Sequence, residues 1–205
     1  MTLDPLLVPP LLVHQPDPNA GWHFSEPANL SAYLRKHGGT QWLGPVVKVY
    51  ETFFADRPPG GYFIEAGGLD GSIRTSNSYL FERYLGWQGL MVEANPLNFA
   101  TLVSERRGAY RTETALCPRV GNVSFAKGSC CSHVAGKTAR HLGLGLRDGR
   151  WGDSHTRPRS SDEYLVRCTP LGMLLRAMGV KRVDFFILDV ESSEYAVLAG
   201  MNWTI

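Results

Sequence analysis

The sequence predicts an α/β fold built on a doubly wound, mostly parallel sheet. From Tyr62 onward, short apolar runs alternate with segments of helical periodicity, which is the pattern of repeated βα units. Several of these runs are continuous rather than alternating, as in strands that are covered on both faces. Glycine, asparagine or proline follows several of the runs, where a parallel strand turns into a helix.

The size and charge of the chain fit one globular domain. It has 205 residues, of which 43% are hydrophobic, and this is enough to build a core. A formal net charge of +2 provides no general argument for binding nucleic acid or an anionic membrane. No apolar run approaches the roughly 20 residues that span a bilayer. We therefore expect no nucleic-acid partner and no transmembrane segment.

Two regions are predicted before the sheet. Residues 1–28 are rich in proline and form an extended or disordered lead, which makes a poor signal peptide because Asp4 and several prolines interrupt its apolar stretch. Residues 29–60 contain two helical patterns and form an N-terminal helical cap. The second pattern places five apolar residues on one face: Val46, Val47, Tyr50, Phe53 and Phe54.

The domain proper is predicted at residues 61–205. Its first strand, Tyr62–Ala66, is followed by a helix over Asn77–Leu85 and a second strand over Gly89–Glu93. Asn95 and Pro96 then supply an N-cap and a proline at the first helical position. The buried stripe of that helix is Phe99, Leu102 and Val103.

The remaining elements include one long interruption. Residues 128–161 are rich in glycine and carry six basic and two acidic side chains, so they are predicted to form an insertion loop. Thr169 and Pro170 repeat the cap-plus-proline pattern ahead of another helix. The other predicted elements are strands at Tyr110–Leu116, Asn122–Ala126 and Val183–Leu188 and a helix from Glu194 to Met201.

The run FIEAGGLDG covers the first strand and the turn after it, and it is a candidate ligand-binding turn. Gly67, Gly68 and Gly71 follow the strand directly, and ligands of open α/β sheets bind beyond the carboxyl ends of the strands. Glu65 and Asp70 add negative charge, which suits a cofactor with an ammonium and a sulfonium better than a phosphate. An ordinary glycine turn between strand and helix is the alternative.

Glu93 ends the second strand and is the second candidate. An acid at this position accepts hydrogen bonds from both hydroxyls of a ribose in dinucleotide-binding folds. The alternative is a solvated carboxylate that the dipole of the following helix favours. The glycine turn, the βα spacing and the acid together are more specific than any one of them.

A third candidate lies in ILDVESSEY, at the end of a later buried strand. Asp189, Glu191 and Glu194 gather three acids at one strand end. Such acids act as a general base, bind a divalent cation or hold the methionine end of a cofactor. The alternative is that Asp189 and Glu191 cap the next helix. We favour a functional role, because three acids at one strand end repel one another unless a partner offsets their charge.

Four runs, FIEAGGLDG, SNSYLFERYLGWQGLMVEANP, TALCP and VDFFILDVESSEYAVLAGMNW, together resemble successive blocks of the FkbM-type methyltransferase family, in particular its animal Star-like branch. The resemblance covers Gly61 to Trp203 in the right order. It implies a Rossmann-like class I methyltransferase fold, S-adenosylmethionine as cofactor, and Asp189 and Glu191 as catalytic residues. The expected cofactor-binding residues are Glu65, Gly67, Gly68, Asp70, Gly71, Asn77, Glu93 and Asn95.

The chain departs from the family pattern at two places. Ser192 occupies a position where the family usually has glycine, so the turn there is expected to differ. A complete fold of this type has further strands after the helix begun at Glu194, and the chain ends at Ile205. We therefore expect an incomplete domain, truncated at its C-terminus.

Two functional hypotheses follow from the resemblance. The first is a methyltransferase that acts on an oxygen of an unidentified small-molecule or glycan acceptor. The second is a non-catalytic Star-like binding module that moves a secretory cargo protein between the endoplasmic reticulum and the Golgi. The resemblance places a longer product in the lumen of these compartments, and otherwise we expect a cytoplasmic protein.

Cysteines and glycosylation sequons bear on the choice between these hypotheses. Cys117 and Cys168 flank the insertion at positions where Star-like relatives tend to carry cysteine, which implies a disulfide in an oxidising compartment. Cys130, Cys131 and nearby histidines match no familiar zinc spacing, so no metal site is expected. Sequons occur at Asn29, Asn122 and Asn202.

Overall fold

A computed structural model of the chain describes residues 13–20, 43–57, 60–126, 163–191 and 193–201. The predicted insertion loop, the first helical pattern of the cap and the Cys130–Cys131 pair lie outside these residues, as do the sequons at Asn29 and Asn202. In chain order the elements are β1 (Val13–His14), α1 (Leu43–Phe53), β2 (Tyr62–Ala66), α2 (Tyr79–Arg83), β3 (Gln88–Glu93), α3 (Pro96–Glu105), β4 (Tyr110–Glu113), β5 (Ala115–Leu116), β6 (Gly121–Ala126), β7 (Glu163–Thr169), α4 (Leu171–Ala177), β8 (Phe185–Leu188) and α5 (Glu194–Ala199).

A five-stranded sheet with the order β1-β4-β3-β2-β8 forms the centre of the fold. β2 pairs in parallel with β3 on one side and with β8 on the other, and β4 continues the parallel arrangement beyond β3. Among the described strands of this sheet, only β1 is antiparallel to its neighbour. The predicted α/β fold with a mostly parallel sheet is confirmed for these residues.

Hydrophobic clusters cover both faces of this sheet. Phe63 and Met91 belong to a cluster that includes residues of α1, α2 and α3. The residue after Phe63 in β2 is Ile64, and the residue before Met91 in β3 is Leu90. Both belong to a second cluster with residues of α4 and α5. Successive side chains of a strand point to opposite faces, so the sheet is buried from both sides.

Three further strands form a smaller sheet with the order β5-β7-β6. β5 is parallel to β7, and β6 is antiparallel to it. A disulfide joins Cys117 to Cys168, with 5.8 Å between their Cα atoms. The cysteine pairing that the family resemblance implied is therefore present in the structure. The side chains of Val123, Phe125 and Val166 complete the core of this sheet.

The described segments before residue 61, which are β1 with the turn after it and α1, pack against the domain. β1, which belongs to the predicted lead, pairs with β4, and the Asp17 backbone N–H donates to the Arg107 carbonyl oxygen over 2.8 Å. In α1 and the turn after it, Val46 and Phe54 are buried in the main core as predicted. Phe53 is 59% exposed, so its predicted inward orientation is wrong.

The strand predicted over Tyr110–Leu116 is wrong as a single element. The chain leaves the main sheet after β4, and the residues after Thr114 form β5 in the smaller sheet. Thr114 connects the two sheets: its backbone N–H donates to the Glu93 carbonyl oxygen (3.1 Å), and its hydroxyl donates to the Arg167 carbonyl oxygen (3.0 Å) and lies 3.1 Å from Thr169 Oγ1, from which it can accept.

The cap predicted at Thr169 and Pro170 is also wrong. Thr169 is the last residue of β7, a strand that the sequence pattern did not predict. Pro170 occupies the N-cap position of α4, which has no capping hydrogen bond from a side chain. β8 is half-buried rather than fully covered, because it is an outer strand of the main sheet among the described residues. None of the helices in the described ranges is long and apolar enough to cross a membrane.

Candidate functional site

The carboxyl ends of β2, β3 and β8 meet at one place in the main sheet. The order of the strands changes direction here, because β3 and β4 extend to one side of β2 while β8 lies on the other. The backbone N–H groups of Gly67 and Gly68 both donate to the Val92 carbonyl oxygen, and the Asp189 N–H donates to the Ala66 carbonyl oxygen. Such a switch point is where open α/β sheets bind ligands. The three predicted motifs therefore converge.

Gly67 occupies a position that no other residue fits. Its φ is +88°, and a Cβ atom built there would lie 1.8 Å from the Asp189 carbonyl oxygen. The close contact of the two strand ends therefore depends on a residue without a side chain. Gly71 also has a positive φ, of +71°, and a Cβ atom there would lie 2.7 Å from Arg106 Cγ. Gly71 must therefore lack a side chain because the turn packs closely against Arg106 and Leu102 inside the domain.

Glu93 is a buried carboxylate at the centre of this strand edge. It is 7% exposed, and its two oxygens accept hydrogen bonds from the backbone N–H groups of Leu69 (2.8 Å) and Asn95 (2.7 Å). Burial raises the pKa of Glu93 to about 7, and the hydrogen bonds, including one from the Asn98 side chain, oppose that shift. Leu69 has a φ of 48°, so its hydrogen bond to Glu93 supports a strained turn.

Asn95 and Pro96 begin α3 as the sequence predicted. The Asn95 side chain accepts a hydrogen bond from the Leu97 N–H over 3.0 Å, and Pro96 occupies the first helical turn. Because the Asn95 backbone also donates to Glu93, the cap and the acid hold each other in place. Asn98 was not among the predicted site residues. Its spacing, one helical turn after Asn95, places it near the same strand end.

Asp70 organises the turn that follows the glycines. Its Oδ1 accepts hydrogen bonds from the Ser72 N–H (3.0 Å) and from the Thr75 hydroxyl. Burial acts to raise the pKa of Asp70, but the hydrogen bonds from Thr75 and Ser72 prevail and leave that pKa below its ordinary value. Asp70 is therefore ionised at neutral pH and adds negative charge at the rim of the site.

Asp189 and Glu191 lie on the surface at the end of β8. Both are exposed, and Glu191 has a φ of 50°. Partial burial raises the pKa of Asp189, and the charges of Glu191 and Glu194 raise it further. The N-cap of α5 is Ser193, so neither acid occupies the capping position. In the described ranges, no group of three or more His, Cys, Asp or Glu side chains is arranged to hold a metal ion.

Comparison with protein-family models matches residues 62–205 to the Methyltransferase FkbM domain. The chain belongs to this family. The match covers β2 through α5 and thus all of the strand ends that form the site. FkbM methyltransferases generally use S-adenosylmethionine. Searches of curated proteins and of solved structures returned no match.

The residues at this edge of the FkbM domain fit that cofactor. Glu93 accepts hydrogen bonds from the backbone N–H groups of Leu69 and Asn95 and from the Asn98 side chain, and these hold its carboxylate at the strand end where dinucleotide-binding folds hold a ribose. The carboxylates of Asp70 and Asp189 provide negative charge, which suits the positive ammonium and sulfonium groups of S-adenosylmethionine. The absence of a side chain at Gly67 lets the end of β2 contact the Asp189 backbone directly, so the two strand ends meet at this edge.

Glu65 has a different role in this FkbM domain from the one that the resemblance implied. It is 1% exposed, and its carboxylate accepts hydrogen bonds from the Ser76 hydroxyl (2.6 Å), the Asn77 N–H (2.7 Å) and the Ser78 N–H (3.1 Å). Glu65 therefore fastens the segment before α2 to strand β2. The expectation that Glu65 lines the cofactor loop is corrected to this internal role, and Asn77 takes part through its backbone.

A buried arginine completes this network, and sequence reasoning missed it. Arg106 is fully buried, donates to Glu82 Oε2 over 2.5 Å and to Ser78 Oγ over 2.9 Å, and lies 3.8 Å from Glu65 Oε2. Its neighbour Arg107 is instead half-exposed and paired with Asp17. No local pattern distinguishes the two adjacent arginines. Glu82 directly follows Leu80 and Phe81 in α2, and an acid beside two core residues is a signal for a buried charge with a partner.

Proposed function

We propose that this chain is an S-adenosylmethionine-dependent methyltransferase that acts on an oxygen of a small-molecule or glycan acceptor. Glu93 is the observation that carries the proposal. It is a buried carboxylate between the glycine turn and helix α3, held by one backbone donor on each oxygen. A carboxylate at this strand end occupies the position at which dinucleotide-binding folds accept hydrogen bonds from the hydroxyls of a ribose.

The other residues of the edge have complementary roles in this proposal. Gly67 allows β2 to meet the Asp189 backbone, and Gly68 and Gly71 keep the turn packed against Leu102 of α3, so the three glycines shape the loop proposed to bind the cofactor. Asp70 holds the turn and faces positive charge, while Asn95 orients Glu93 through its N–H. When bound, S-adenosylmethionine supplies a methyl group on a positively charged sulfur.

Asp189 is the proposed general base. Its raised pKa makes it a better proton acceptor than an ordinary surface aspartate, and it stays exposed where an acceptor can reach it. It would take the proton from an acceptor hydroxyl. Glu191 is proposed to orient the acceptor beside it, since holding the two reactants together accounts for much of the rate of such transfers.

Calorimetric titration of S-adenosylhomocysteine into the chain tests the cofactor site. Glu93→Ala removes hydrogen bonds to a charged acceptor, each worth about 1.5–3 kcal/mol, so affinity should fall at least about tenfold. Glu191→Gln should leave binding unchanged and reduce turnover. Glu113→Ala is the matched control, because Glu113 is an exposed acid on β4 directly across from Glu93.

Two results would contradict these assignments. A well-folded chain that binds no S-adenosylhomocysteine would reject the methyltransferase proposal. Equal affinities for the Glu93→Ala and Glu113→Ala proteins would remove Glu93 from the site while leaving the family membership intact. Unchanged turnover in Glu191→Gln would reject only the role of Glu191.

A second candidate function is a Star-like binding module in trafficking between the endoplasmic reticulum and the Golgi. The Cys117–Cys168 disulfide favours this candidate, because such bonds persist in oxidising compartments. A membrane-associated, glycosylated product that fails to bind S-adenosylhomocysteine in a folded state would support the module. Methyl transfer by the purified chain would reject it as the main function.

A further inference from the structure

The outer strand of the smaller sheet carries a sequon on its solvent face. Residues Asn122, Val123 and Ser124 lie in β6, which pairs with β7 on one side only among the described strands. Val123 is 1% exposed and Phe125 is 7% exposed, so these two side chains point into the core of the sheet. Asn122 alternates with them and is exposed.

The disulfide places this strand in a chemical setting where the sequon is used. Cys168 is opposite Gly121 in the register of β6 and β7, and it is bonded to Cys117. A disulfide of this kind persists in an oxidising compartment. Asparagine sequons on the surface of proteins in that compartment are acceptors for N-linked glycans.

The surface around Asn122 has features that a glycan would protect. Leu165 of β7 is 75% exposed and lies opposite Ser124 of β6. The residue opposite Asn122 is Arg167, two positions further along β7, so Leu165 and Asn122 lie near each other on the same face of the sheet. An outer strand with an exposed apolar neighbour is a site of unwanted strand pairing between molecules. A hydrophilic glycan on Asn122 would cover both the strand edge and Leu165.

We propose that Asn122 is an N-glycosylation site that the folded domain displays on the outer edge of the smaller sheet. The donor is an oligosaccharide linked to a lipid through a diphosphate. Asn122 Nδ2 forms a bond to the anomeric carbon of the sugar and loses one proton. The bond between that carbon and the diphosphate oxygen breaks, and the lipid diphosphate leaves with the bonding electrons.

Glycan mapping of the full chain tests this proposal. The chain is directed into the endoplasmic reticulum of animal cells by a cleavable signal peptide, and the secreted fraction is collected. Enzymatic removal of the glycan in water enriched in heavy oxygen then marks each formerly occupied asparagine for peptide mass spectrometry. We expect the mark on Asn122 in molecules that contain the Cys117–Cys168 disulfide.

Three variants separate the sequon from the fold. Asn122→Gln and Ser124→Ala should each remove one glycan's mass from the intact protein, while Ser124→Thr preserves the sequon and should retain it. The sequons at Asn29 and Asn202 are unchanged in all three variants, so the mass lost should be that of one glycan. Aggregation measured by size-exclusion chromatography should increase in both variants that lack the glycan and stay unchanged in Ser124→Thr.

The proposal is overturned if Asn122 is unmarked in secreted, disulfide-bonded protein. It is equally overturned if the mark occurs only in retained molecules that lack the disulfide, because the folded strand would then be incompatible with the glycan. Failure of the cysteines to pair in every fraction also counts against it, since the placement of β6 beside Cys168 would be lost. Direct mapping of the unmutated chain keeps the test valid if a variant fails to fold.

Discussion

Replacing Arg106 by methionine should destabilise the protein far more than any surface charge change. Among the described residues, Arg106 is the cation that pairs with two buried carboxylates, those of Glu65 and Glu82, which are 1% and 0% exposed. Methionine has a similar length and no charge. The substitution therefore removes the positive charge and its hydrogen bonds while keeping most of the packing.

The cost follows from what the two carboxylates retain. Glu65 keeps its donors from Ser76, Asn77 and Ser78, so it remains largely satisfied. Glu82 does not, because Arg106 binds its Oε2 and its Oε1 has no hydrogen-bond partner. Breaking a buried pair by removing one member costs about 3–5 kcal/mol. Domains have a total stability of about 5–15 kcal/mol, so the expected loss is a large fraction of it.

Urea denaturation followed by circular dichroism measures this loss. Arg107→Met is the matched control: it is the adjacent arginine, its side chain is 55% exposed, and its ion pair with Asp17 is screened by solvent and should contribute little to stability. The double variant Arg106→Met with Glu82→Met removes both charges. It should be more stable than Arg106→Met alone, because no carboxylate is left without its cation.

A small effect would refute this reasoning. If Arg106→Met lost no more stability than Arg107→Met, the buried network would contribute nothing to the fold. If the double variant were as unstable as the single one, the loss would come from packing around Arg106 and not from the orphaned charge of Glu82.

Three further predictions concern Glu93, the disulfide and the glycine turn. The unfolded chain releases the Glu93 proton near pH 4.5 and the folded chain near pH 7, so the contribution of Glu93 to stability should fall by roughly 3 kcal/mol as pH rises across that window. Urea titrations of wild type and Glu93→Gln should therefore diverge between these pH values, and parallel curves would contradict the shift. Reducing the Cys117–Cys168 bond, which spans 51 residues, should lower the unfolding free energy by about 4 kcal/mol on the chain-entropy model. Equal stability with and without reductant would exclude this stabilising effect of the disulfide. Gly67→Ala should abolish binding of S-adenosylhomocysteine and destabilise the strand ends. The control is Gly60→Ala, because Gly60 has a φ of +93° but no atom lies within 4 Å of the new Cβ, so this variant should show only the backbone cost of about 1–2 kcal/mol. Similar results for both variants would refute the close contact at Gly67.

Elements that depend on local pattern could be predicted from the sequence. β2 has the bounds that its apolar run indicated, and α3 begins at the predicted asparagine cap. Elements that depend on distant partners could not. The break at Thr114 arises because the next two residues pair with β7, about 50 positions later, and no periodicity in the run reveals that change of sheet.

The same division applies to the site. Gly67 and Glu93 lie at the strand ends where they were expected, because a glycine turn and a strand-end acid are local features of the sequence, and their roles in binding stay predictions. The role of Glu65 was not, because its position on an inward face of β2 says only that it is buried, and its partners come from a loop eleven to thirteen residues away. Asp189 and Glu191 reach the correct edge, while their functions stay predictions.

Thr114 has a consequence for redesigning this protein. Its backbone N–H binds the carbonyl of Glu93 in the main sheet, and its hydroxyl binds β7 in the smaller sheet. A library that varies the smaller sheet to change its surface would therefore transmit shifts to the Glu93 backbone through Thr114, and also to the main core through Leu116 of β5. Holding positions 114 and 116 constant would keep both connections intact while the outer residues of the smaller sheet are varied.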